Sequence, residues 1–127
     1  MTRRVIAALL SSACALAAAS ALAAPAAAHP AQRGDTITYL LWADSADVEI
    51  STYDGFNRPV FANRLKPVPG RPGLYEGRYD FTVSATDPYL ALGITSSGDT
   101  AGCEARINGK TYSSDYAHGY RARALCN

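Results

Sequence analysis

The sequence predicts an all-β domain, an immunoglobulin-like β-sandwich of about seven strands closed by one disulfide. Three observations carry that expectation. From Thr36 onward, apolar and polar residues alternate in short runs with no helical period. Gly, Pro, Asn and Asp divide the runs at close intervals. Cys103 and Cys126 lie in this stretch, each in phase with small or apolar neighbours.

Thr36 to Ala43 is rich in β-formers and apolar on both faces, which suits a central strand. Ala46 to Tyr53 alternates, with Val48 and Ile50 inward, and ends at the turn signal Asp54-Gly55. Phe56 to Leu65 reads as a strand or an irregular edge interrupted by Pro59. Pro67 to Gly73 reads as a rigid exposed loop. In Leu74 to Ser84, Tyr75, Tyr79, Phe81 and Val83 share one face and Glu76, Arg78 and Asp80 the other. Pro88 to Thr95 and Ala101 to Ile107 follow as strands on either side of a polar loop. Asn108-Gly109 is a hairpin signal that returns the chain along Lys110 to Ser113. Tyr120 to Cys126 closes the domain, with Tyr120, Ala122, Ala124 and Cys126 in phase.

Ahead of the sandwich, Arg3 and Arg4 precede an apolar run from Val5 to Ala23, with small-residue triplets at Ala21-Leu22-Ala23 and Ala26-Ala27-Ala28. This is the pattern of a secretory signal peptide. Residues 1–28 are therefore read as the signal, 29–35 as a flexible leader and 36–127 as the domain. Pro25 breaks the helix just upstream and favours cleavage after Ala28, with Ala23 the competing site. The run is also long enough to stay in a membrane as an anchor. Its many alanines and Ser11, Ser12 and Ser20 weaken that reading. Lipid attachment at Cys14 is disfavoured by Ser11 three residues before it. The chain is expected to be exported, secreted or held in the periplasm or envelope, and membrane-bound only if the leader is retained.

Removing Arg3 and Arg4 leaves ten basic residues against eleven acidic ones, so no basic field remains for nucleic acid. An even cysteine pair in an exported chain reads as a disulfide between Cys103 and Cys126, with two free thiols as the alternative. No catalytic set, cofactor loop or metal spacing stands out, and the chain is read as non-enzymatic. His29 falls in the leader. Ser113, Ser114, Asp115 and His118 have the residue types of a hydrolytic triad but crowd into a stretch read as a turn. Asp44-Ser45-Ala46-Asp47 reads as a solvated turn rather than a calcium loop. The candidate partner surface is Phe56 and Phe61 on an expected edge, with Tyr112 and Tyr116 near loops.

The C-terminal residues carry a resemblance. Cys103-Glu104-Ala105-Arg106-Ile107-Asn108-Gly109-Lys110, then His118-Gly119-Tyr120-Arg121-Ala122-Arg123-Ala124-Leu125-Cys126, resemble the close of the MmpS family. These are small mycobacterial membrane proteins accessory to large MmpL lipid transporters. Ile37-Thr38-Tyr39 and Val48 to Asp54 resemble the family's opening strands, so the likeness runs from Thr36 to Cys126. It implies an immunoglobulin-like domain in an actinobacterial envelope. It also implies an accessory role beside an MmpL-type transporter exporting lipids or siderophores. A free secreted interaction protein, an inhibitor or surface-binding module acting through Pro67 to Gly73, is the alternative.

Overall fold

The computed structural model describes residues 31–127. Among them the chain forms nine strands: β1 Thr36–Ala43, β2 Asp47–Tyr53, β3 Pro59–Arg64, β4 Lys66–Pro67, β5 Tyr75–Thr82, β6 Leu92–Ser96, β7 Thr100–Ile107, β8 Lys110–His118 and β9 Arg123–Cys126. They make two antiparallel sheets, ordered β4-β5-β1-β7-β8 and β3-β2-β6-β9. The expected all-β sandwich with one disulfide is present. The strand count exceeds about seven because β3 is a true strand and β4, read as loop, adds a short edge to β5.

Alternation decides which side of each strand is buried. Ile37, Tyr39, Leu41 and Ala43 of β1 face Val48 and Ile50 of β2 and Leu92 and Ile94 of β6 across one core. β1 lies between β5 and β7, as its two-sided apolar character predicts. Cys103 of β7 and Cys126 of β9 are fully buried and bonded, so the disulfide ties one sheet to the other. The small residues Ala101, Ala105 and Ala124 beside them let the layers approach closely.

Several expectations are corrected. Ser113 to His118, read as a turn, continue β8 along β7. Both sides of this edge strand are largely exposed, so its polar sequence carries no alternation to read. Tyr120, read as inward, is 88% exposed. Positive φ at Gly119 and Arg121 turns the chain there, and the inward phase begins only at Ala122. The stretch from Pro88 to Ala91 is loop, held by the Asn57 side chain, which accepts from the Tyr89 N–H and donates to the Asp87 carbonyl.

Ala31 to Asp35, read as flexible leader, are part of the folded body. Ala31 is buried, the Gly34 N–H donates to Val83, and Asp35 accepts from the Gln32 N–H at 2.7 Å. His29 and the signal or anchor segment, residues 1–28, lie outside the described residues.

Candidate functional site

On the four-stranded sheet the outward residues at the centre of β2 and along β6 are small. Ser51, Gly93 and Thr95 form a floor, because a Cβ at Gly93 would stand 3.3 Å from both the Ser51 hydroxyl and Leu125 Cδ2. Phe61 of β3 rises on one side, 78% exposed, and Leu125 and Arg123 of β9 rise on the other. Two adjoining hollows of about 330 and 320 Å³ share Ser51, Phe61, Gly93 and Arg123. Together they form one shallow groove across the sheet.

Toward the β2–β3 turn this groove meets an aromatic cluster. Tyr53 and Tyr89 pack edge to face, with centroids 5.1 Å apart. Phe56 is exposed under the Arg58 guanidinium, 4.9 Å from its ring centre. Asp54 builds this turn: its carboxylate accepts from the N–H groups of Phe56 and Arg58 and from Arg58 Nε. The backbone bond from Arg58, aided by that from Phe56 and by the guanidinium, holds the carboxyl below its ordinary range.

Two of the four residues expected to meet a partner, Phe56 and Phe61, therefore lie on the β2–β3 hairpin and are exposed. Tyr116 is exposed too, but it projects from the outer face of the other sheet, opposite Gly102. Tyr112 is corrected from exposed to inward. A register shift at Ala105/Arg106 inserts it as an extra residue in β8. It packs against the core, and among the described residues its buried hydroxyl makes no well-formed hydrogen bond. Burial, with the neighbouring Tyr39 hydroxyl, pushes its phenol well above the ordinary range. Sequence reasoning missed Leu125 and Gly93. Leu125 sits out of phase with Ala124 and Cys126, a usable signal for an outward apolar residue.

The five-stranded sheet has its own outward row. Lys66, Glu76, Trp42, Gly102 and Tyr116 stand opposite one another across β4, β5, β1, β7 and β8. Trp42 leans over β7, where a Cβ on Gly102 would come within 2.1 Å of its indole. On the other side of Trp42 lies a hollow of about 680 Å³ lined by Leu40, Arg64, Lys66, Glu76 and Arg78.

The residues with triad chemistry do not assemble. His118 pairs with Thr100 on the outer face, whereas Asp115 pairs with Cys103 on the opposite side of the strand. The Asp115 carboxylate is engaged by the N–H groups of Tyr116 and Leu125. Asp44 is engaged too, accepting from the Ser96 hydroxyl and the N–H groups of Asp99 and Thr100. Among the described residues no three His, Cys, Asp or Glu side chains are grouped to hold a metal ion. Compared with known proteins, the chain matches no protein-family model and no curated protein.

Proposed function

We propose that this chain is an exported, non-enzymatic accessory or binding domain of the cell envelope, as its resemblance to MmpS proteins implies. In this reading the groove between Phe61 and Leu125 docks an MmpL-type membrane transporter that handles lipid or siderophore cargo. The observation that carries it is the exposure of Phe61 and Leu125 on the two walls of the groove, with Tyr53 and its packed partner Tyr89 at the groove's end. Exposed large apolar groups grouped on one side of a small domain are characteristic of contact surfaces. The groove is open along its length, which suits a protein surface better than an enclosed acyl chain.

The test is site-directed crosslinking in the source organism, with a photoreactive residue replacing Phe61. Crosslinking to a transporter of the MmpL type, abolished by Leu125→Ser, supports the reading. Absence of any transporter adduct, together with no affinity of the purified domain for envelope lipids or siderophores, rejects it.

One observation favours the alternative of a free interaction protein. Pro69 to Gly73 project as an exposed tip, closed at its base by the Val68 N–H bond to Leu74. Deleting this tip would abolish binding to a soluble target in that case and leave transporter crosslinking intact in the first.

A further inference from the structure

We propose that the outer face of the five-stranded sheet binds a β-linked oligosaccharide, with Trp42 and Tyr116 as its stacking platform. This goes beyond the transporter-docking reading and concerns the opposite face of the sandwich.

The face has the mixed chemistry of a sugar ring, which presents a flat C–H surface edged by hydroxyls that both donate and accept. Gly102 is the position that makes it so. With no side chain there, the Trp42 indole settles over β7, one strand from Tyr116, which is 61% exposed. Adjacent strands are about 4.8 Å apart, so Tyr116, opposite Gly102, stands beside the indole on the same face. Beside Trp42, the hollow over Leu40 brings a carboxylate, Glu76, together with the cations Arg64, Lys66 and Arg78. Such groups of both signs can accept from and donate to hydroxyls.

Charge argues against other occupants. Arg78 is paired with Asp80 at 2.9 Å and Arg106 with Glu104 at 3.0 Å, so much of the cationic character is cancelled on the face. A nucleic acid would require an uncancelled basic stripe. An acyl chain would require an apolar enclosure, and here Leu40 and Trp42 are rimmed by charged side chains over an open hollow.

Trp42 is the only tryptophan in the chain, so its emission reports occupancy of this face without a label. The protein is titrated with cellotetraose and with chitotetraose. The expected result is a saturable change in emission with at least one of them. It should weaken about tenfold in Tyr116→Ala, which removes one stacking contact from an exposed edge strand. It should be unchanged in Phe61→Ser on the opposite face. As a second measurement, co-sedimentation with insoluble cellulose or chitin should be lost in Trp42→Ala. The proposal is overturned if neither oligomer changes the emission. It is equally overturned if Tyr116→Ala binds as tightly as the parent, or if laurate saturates the signal and the sugars do not. Each of these results leaves the transporter reading untouched, because its test reads the other sheet.

Discussion

Asp44 shows how one side chain can hold a loop. It sits just past the end of β1 and reaches the turn before β7, where Ser96, Asp99 and Thr100 donate to it. Partial burial works to raise its pKa, but these hydrogen bonds outweigh burial and hold the carboxyl below its ordinary range. Gly98 is part of the same arrangement, since a Cβ there would lie 2.5 Å from the Asp44 carboxylate. A carboxylate with a depressed folded pKa stabilises fully above its unfolded value. That stability is lost as pH falls through the folded value. Asp44→Asn is therefore expected to be less stable by about 1–2 kcal/mol at neutral pH, with the difference shrinking in strongly acid solution. Urea denaturation at pH 7 and pH 3 reads this directly, and a difference independent of pH would contradict the assignment.

Tyr112 makes the opposite prediction. Among the described residues its buried hydroxyl has the Tyr39 hydroxyl beside it but no well-formed hydrogen bond, so most of its desolvation cost stands uncompensated. Tyr112→Phe should leave the fold intact and be neutral or more stable by up to about 1 kcal/mol. A clear loss of stability in thermal unfolding would mean that the hydroxyl makes a bond in solution.

Among the elements, β8 and β9 are joined across the two layers. They are edge strands of different sheets, and Asp115 joins them by accepting the Leu125 N–H at 2.9 Å. That contact occupies an edge donor that another chain could otherwise pair with. Asp115→Ala should cost about 1 kcal/mol and promote self-association with rising concentration. Denaturation and size-exclusion chromatography over a concentration series test both effects, and Asp115→Asn, which keeps an acceptor, should be milder.

How much of an element the sequence reveals follows from how it is buried. β2 and β5 are legible almost to the residue because one face of each meets the core and the alternation survives, and β1 because an apolar run of β-formers marks a central strand. The second half of β8 is not, because an edge strand exposed on both sides has no apolar phase. The candidate groove was legible only in its projecting wall. Phe56 and Phe61 read as exposed because Pro59 marks an edge, whereas the Gly93 floor arises from pairing between distant strands. Tyr112 misleads because it lies near a loop in sequence, yet at the register shift in β8 it packs against the core.

For the molecule as a whole, stability rests on joining two layers whose shared core is small. A domain of this size buries a modest fraction of its surface, and net stabilities of about 5–15 kcal/mol leave little reserve. The disulfide addresses this at the weakest place. β9 is four residues long and sits at the edge of its sheet, where among the described residues its ladder partner is β6. Cys126 fixes it to Cys103 in β7, in the other layer, across a sequence separation of 23. Closing a loop of that length removes unfolded-state entropy equivalent to about 3.5 kcal/mol. The Cys103→Ala, Cys126→Ala double variant should therefore lose a large part of the total stability. It should lose it first in β9, since β7 keeps its partners β1 and β8 on both sides. Hydrogen exchange followed by mass spectrometry distinguishes this from uniform weakening. Early exchange confined to the Leu92–Ser96 and Arg123–Cys126 segments would show β9 detaching from an otherwise intact sandwich. Unchanged exchange and an unchanged unfolding midpoint would mean that packing around Leu92, Ile94 and Ala124 joins the layers without the bond.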